Sequence, residues 1–281
     1  MFSKTIQWRQ PSIIPGFGLT MGFALTYLSV IVLIPIAALL FRAAGLGAAE
    51  FWAIATSERV LAALKISFGA ALIAASINAV FGLLVAWVLV RYRFPGRRLL
   101  DAIVDLPFAL PTAVAGIALT ALFAHNGWIG QYFEAHGIQI AFTPTGIVIA
   151  LTFIGLPFVV RTVQPVLEDI DREVEEAAAT LGAGRFVTIT RVVLPTLLPA
   201  LLTGFALALA RAVGEYGSVI FIAGNIPYVS EIAPLLIVIQ LEEFNYGGAA
   251  VIGATMLIIS FALLLFINLI QVWSRRRFGN V

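Results

Sequence analysis

The sequence has no cysteine, and among its 281 residues there are two histidines. Lysine is almost as scarce, standing only at Lys4 and Lys65. Each shortage excludes something. Without cysteine there is no disulfide framework and no thiolate metal site. Neither lysine follows a glycine-rich loop, so the Gly-Lys-Ser/Thr cradle for nucleotide phosphates is absent. The chain is therefore not its own P-loop ATPase. His125 and His136 have no paired ligands near them in sequence, which fits solvated loop side chains better than a metal site. Charge is also thin: 11% of residues are charged, against about 25% in a soluble domain.

What remains is apolar. Hydrophobic residues make up 61% of the chain, and the mean hydropathy is +1.02. About 20 apolar residues cross the hydrocarbon core as a helix. Six runs qualify: 17–41, 66–90, 101–124, 145–165, 197–222 and 249–272. Lipid offers the backbone no hydrogen-bond partner, so spans are helices or a closed barrel. Barrel strands are about 10 residues long and strictly alternating; these runs are longer and apolar on all faces. The fold class expected is all-α, a polytopic membrane protein of about six helices. The first run is too long for the core of a cleavable signal, about 7–15 residues, and is read as a retained helix after a tail, 1–16.

Basic residues set the expected orientation. Lys4 and Arg9 precede the first run, Arg91, Arg93, Arg97 and Arg98 fill the second turn, and Arg172, Arg185 and Arg191 lie between the fourth and fifth runs. Arg161 stands near the end of the fourth run, and Arg275, Arg276 and Arg277 follow the last. The opposite loops hold Arg42 and Arg59, with Lys65 bordering the second run. By the positive-inside rule both termini and the segment 166–195 face the cytoplasm.

That segment carries six acids, Glu168, Asp169, Asp171, Glu173, Glu175 and Glu176. Helix propensity is high over 173–181, acids favour a helix start, and Gly182 and Gly184 suit a turn. A second short helix over 185–193, before Pro195, completes an elbow that displays Ala177, Ala178, Leu181 and Phe186. Its acids argue against a loop lying on anionic headgroups, which attract basic segments. In the fifth run Arg211 and Glu215 are spaced to share a helix face. Ionisable groups at depth usually face a bundle interior or a water cavity. The pair either lines a path, with Arg211 a contact for a passing anion, or pins the run to its neighbours. Pro107 and Pro111 in LPFALPTAVAG remove backbone donors and can kink or break the third run, which suits a gate. Glu231, Glu242 and Glu243 lie in the last external loop, where they either contact a binding protein's lobes or are solvated; for any single one the expectation is a solvated side chain.

The pattern Glu176-Ala177-Ala178, three residues, Gly182, nine residues, Val192, one residue, Leu194-Pro195 resembles the EAA loop of ABC-importer permeases. It departs from that pattern only at Val192, where the family has isoleucine. The resemblance implies a coupling helix that docks on a cytosolic ATPase, and a type I ABC-importer permease fold formed by one transmembrane domain, 1–281. RAVGEYG with AGN, and LPFALP, are similar to stretches in permeases for sulfate, thiosulfate, molybdate and tungstate. The run AGNIPYVSEIAPLLIVIQLEEFNYGGAA and the turn RYRFPGRRLLD resemble the CysT-type sulfate/thiosulfate permease. Sulfate or thiosulfate import across a bacterial inner membrane is the function implied, with molybdate or tungstate as the alternative. Implied partners are a CysA-like ATPase dimer carrying ATP and Mg, a CysW-like second permease, a periplasmic binding protein and membrane lipid. This chain is expected to bind no cofactor, metal or nucleic acid and to catalyse nothing. An ion-coupled secondary transporter would leave the EAA-like loop without a purpose. An intramembrane enzyme would need a polar catalytic constellation at depth, which these runs lack.

Overall fold

Apolar chain with nowhere to place its amides closes them internally, and in the computed structural model the described residues, 16–278, form helices and no strand. The expected tail with Lys4 and Arg9 lies outside these residues, apart from Gly16. The helices are α1 (Phe17–Ala44), α2 (Ala48–Ala55), α3 (Glu58–Arg91), α4 (Arg97–Val104), α5 (Leu106–Ala109), α6 (Thr112–Phe123) and α7 (Gly130–Glu134). They continue as α8 (Pro144–Asp169), α9 (Arg172–Thr180), α10 (Arg185–Val213), α11 (Val219–Ile222), α12 (Ala233–Glu242) and α13 (Tyr246–Phe278). Five of the described helices, α1, α3, α8, α10 and α13, are long and apolar enough to cross a membrane.

The third expected span, 101–124, is the exception: it is broken into α4, α5 and α6. Proline explains the upper break. Leu110, before Pro111, is extended at φ −84°, ψ 133°, because the proline ring excludes the helical conformation from its predecessor. Pro111 then caps the start of α6, where a missing N–H costs nothing. The fifth span, expected over 197–222, also differs. Its helix begins at Arg185, ends at Val213 and gives way to a turn before α11. Arg59, read as a loop residue, lies in the first turn of α3, with Lys65 two turns in.

The core is built where α3, α8 and α10 meet, and small residues line it. Ala70, Ala71, Ala74 and Ala75 of α3 face Ala150 of α8 and Ala208 and Ala212 of α10 in one buried cluster. Gly82 brings α3 against α8: a Cβ there would sit 2.9 Å from Val159 Cβ. Gly204 of α10 meets Val159 Cα in the same way, at 2.8 Å. Lipid is as apolar as leucine, so close backbone approach, rather than hydrophobic segregation, holds such helices together. In α1, by contrast, only Ala43 is buried, and that helix leans on α13 through Leu39, Ala43 and Ala254.

Two ends of the bundle can be told apart. At one, α12 starts against α3, where the Ala233 amide donates to Ser67 Oγ at 2.8 Å, and the Phe142 amide donates to the Ile222 carbonyl at 2.7 Å. At the other, α9 lies beside the end of α3 and the turn 92–96, joined by an ion pair between Arg91 and Glu175.

Candidate functional site

The segment 170–195 forms the expected elbow, with one correction. Asp171 precedes α9, and Glu173 and Glu175 lie in its first turn, where carboxylates favour the positive helix end. The helix then ends in a Schellman motif. The Gly182 amide donates to the Ala179 carbonyl and the Ala183 amide to the Ala178 carbonyl, each at 3.0 Å. That closure needs left-handed backbone at Gly182, which has φ 84°. Leu181 and Phe186, on either side of the turn, are 89% and 78% exposed.

The second arm differs from the expected short helix over 185–193. No separate helix ends before Pro195. The arm is the foot of α10, which runs on from Arg185 to Val213 through a π-helical turn at Ile189–Val193. A proline ring inside a helix clashes with the carbonyl four residues back, and the wider π turn relieves that strain ahead of Leu194-Pro195. A second π turn, Ser29–Leu33, precedes Pro35 in α1 in the same way. The elbow is therefore continuous with the long helix that enters the core.

Of the EAA-like residues, Glu176 and Ala177 are exposed, Ala178 is half-buried, and Gly182 meets nothing that a side chain would touch. Val192, Leu194 and Pro195 are half-buried along the foot of α10. Arg91 meets Glu175 at 2.5 Å and lies 5.7 Å from the Trp87 ring centre. The two charges meet off the line a directed hydrogen bond needs, so the contact is an ion pair only. A groove of about 400 Å³ runs here between Trp87, Arg91, Tyr92, Glu175, Glu176 and Ala179.

The charges deeper in the bundle are paired, but not across one helix face as expected. Arg211 is in the last turn of α10, while Glu215 lies past its end, buried in the turn that follows. They form an ion pair, and Glu215 Oε1 also accepts from the Ser218 amide at 3.0 Å and the Ser218 hydroxyl at 3.1 Å. This turn abuts the start of α6. A Cβ on Gly116 would lie 2.7 Å from Ser218 Cα, and one on Gly217 would run into the Thr112 hydroxyl. Two interrupted helices thus meet break to break, bringing Arg211 and Glu215 near the α6 start that Pro111 caps. Pro107 is buried in α5, which packs on α8 where the Phe108 and Phe158 rings meet edge to face at 5.1 Å.

Besides the Arg91–Glu175 pair, sequence reading missed two ion-pair clusters. Arg161 of α8 donates Nε to Asp105 at 2.8 Å and a terminal nitrogen to its other oxygen at 2.6 Å. It also reaches Asp101 Oδ1 at 2.6 Å and the Asp101 carbonyl at 2.9 Å. Glu231, expected to be solvated, is 1% exposed and takes a bidentate pair from Arg59, at 2.9 and 2.7 Å. No local spacing announces partners this far apart in sequence. Glu242 and Glu243 are exposed as expected. His136 Nδ1 lies 2.8 Å from the Tyr132 carbonyl, and among the described residues no cluster of acids and histidines could hold a metal.

A helical bundle with five helices long enough to cross a membrane, an outward elbow at one end and paired breaks in its interior has the build of a multi-pass membrane protein. Comparison of sequences makes the family definite. The chain belongs to the binding-protein-dependent transport system inner membrane components, whose family model matches residues 78–280. It is 54% identical over 92% of its length, and 91% of the relative's, to the probable sulfate transport system permease protein cysT of Nephroselmis olivacea. It is 48% identical to the sulfate transport system permease protein CysT of Escherichia coli, covering 95% of each chain. In fold it is similar to a chain of a bacterial alginate ABC transporter crystallised with an alginate-bound periplasmic protein, with TM-score 0.75, 16% identity and coverage of 94% and 95%. A chain of the MetNI methionine ABC transporter in an inward-facing form matches 79% of this chain at TM-score 0.52 and 21% identity.

Proposed function

We propose that this chain is the permease subunit through which an ATP-driven importer passes sulfate, and thiosulfate with it, across a bacterial cytoplasmic membrane. The observation that carries the mechanism is the elbow. A glycine-closed turn holds Leu181 and Phe186 out in solvent, and its second arm is the same helix that carries Arg211 into the bundle. A cytosolic ATPase that buries those two side chains moves α10 and, through the Glu215 turn, α6. The whole chain, 1–281, works as one membrane unit with both termini and the elbow in the cytoplasm, and the arginine-rich turn at 91–98 on that side supports this orientation.

The partners in this reading are a CysA-like ATPase dimer that holds ATP and Mg, a CysW-like second permease, and a periplasmic binding protein that does most of the anion selection. This chain itself supplies no catalysis and binds no cofactor. Relatives spanning nearly the whole chain are named sulfate permeases, which favours sulfate over molybdate or tungstate. Arg211, partly exposed and tied to one carboxylate, is the candidate contact for the passing anion, with Glu215, Pro107 and Pro111 shaping the path. Arg211→Lys keeps the charge and removes the planar fork. Loss of sulfate uptake with normal assembly supports that role, and unchanged uptake removes it.

A further inference from the structure

Four arginines crowd the junction of α3 and α4: Arg91 ends α3, Arg93 stands in the turn, and Arg97 and Arg98 open α4. Among the described residues, Arg91 alone of the four has an anionic partner. Arg93, Arg97 and Arg98 line, with Phe94 and Gly96, one open cavity of about 320 Å³. None of these three makes a side-chain hydrogen bond or ion pair with another described residue. The backbone forces the crowding. Gly96 takes φ 89° and the Arg97 amide donates back to the Phe94 carbonyl at 3.3 Å, so the chain reverses and sets Arg93 beside the start of α4. Like charges held together repel unless an anion joins them, and planar guanidinium forks match phosphate oxygens. The N-terminal amides of α4 add to the positive field.

The flank of this cavity is apolar. Leu99 and Ile103, one turn apart on α4, are 66% and 47% exposed, and Tyr92 is exposed beside the turn. An amphipathic helix with a basic start and bare leucine and isoleucine lies in a membrane interface. A free oxyanion would satisfy the arginines and leave that strip wet. A phosphodiester carrying acyl chains satisfies both. We propose that the cavity of Arg93, Arg97 and Arg98 binds the headgroup phosphate of an anionic phospholipid, with acyl chains along Leu99 and Ile103. Basic pockets at the cytoplasmic ends of membrane helices recognise such headgroups. The proposal rests on the membrane-component reading and on this turn facing a leaflet, and it does not depend on which anion the complex transports.

The test uses the full chain purified with its partner subunits. Lipid retained after titration with phosphatidylglycerol or phosphatidylcholine is counted by native mass spectrometry, with and without inorganic phosphate. The wild type is expected to hold phosphatidylglycerol in preference to phosphatidylcholine and to resist displacement by millimolar phosphate. The triple variant R93Q/R97Q/R98Q is expected to bind it about 100-fold more weakly, while R93K/R97K/R98K retains part of the affinity. Should the triple glutamine variant not assemble, Arg97→Gln alone is expected to show a partial loss. Equal phosphatidylglycerol retention by wild type and glutamine variants overturns the proposal. So does displacement by inorganic phosphate, which would mark a free-anion site, or equal retention of phosphatidylcholine, which would mark an apolar one. Labelled-sulfate uptake is scored separately. A complex that holds the lipid but moves no sulfate contradicts the transport reading alone.

Discussion

Arg59 and Glu231 show how much a single pair can decide. Glu231 is buried, and Arg59 supplies two hydrogen bonds to its carboxylate. Removing one partner of such a pair leaves a charge in a medium that cannot solvate it, at a cost of about 3 kcal/mol. Arg59→Ala is therefore expected to lower the unfolding temperature of the purified chain clearly. Arg59→Met combined with Glu231→Leu is expected to recover most of that loss, because the orphaned charge is gone. An unchanged midpoint in Arg59→Ala would mean that Glu231 finds water or another donor. Gly116 makes a second case. Any side chain there must push α6 away from Ser218, at a cost of about 1–3 kcal/mol. Gly116→Val is expected to reduce uptake and stability together, and a variant that transports normally would contradict the close packing of the two breaks.

At the scale of elements, the elbow depends on one residue's backbone. Gly182 closes the Schellman turn at φ 84°, a conformation that costs other L-residues roughly 1–2 kcal/mol. Gly182→Ala is expected to weaken association with the ATPase severalfold in pull-downs from detergent, and Gly182→Asn less, since asparagine tolerates that region. Identical binding by both would show that the turn does not shape the docking surface. Phe186→Ser together with Leu181→Ser is expected to weaken association about 100-fold, since burying such a side chain contributes about 1.5–3 kcal/mol, while leaving membrane insertion intact. The elbow was legible because its acids, its alanines and Gly182 are local signals. The continuity of its second arm was not, because Pro195 reads as a stop unless the π turn before it is known. Nor was the end of α10 at Val213, since the sequence stays apolar on both sides of Gly214-Glu215. Pro107 and Pro111 announced trouble in the third run, yet only the structure shows three short helices there instead of one kinked one.

For the whole molecule, hydropathy located the long helices, since a lipid-facing helix is written in about twenty consecutive residues. The bundle's interior is written in pairs far apart in the chain. Arg161 with Asp101 and Asp105, and Arg59 with Glu231, close opposite ends of the bundle, and neither has a spacing that helix or strand geometry picks out. Between those fixed ends lie the interrupted α6 and α10 with the Arg211–Glu215 pair, while Arg91 and Glu175 tie the elbow to α3. The elbow and the paired breaks are joined by one continuous helix, the route by which the proposed mechanism carries a push from the ATPase. The measurement that tests this most directly is labelled-sulfate uptake into cells lacking their own sulfate permease, with the chain expressed beside its partner subunits, molybdate as competitor, and Gly182→Pro as the uncoupled control. Uptake is expected to require the ATPase, to resist excess molybdate and to be lost in the control despite normal membrane insertion. Sulfate uptake that persists without the ATPase, or in Gly182→Pro, would contradict it.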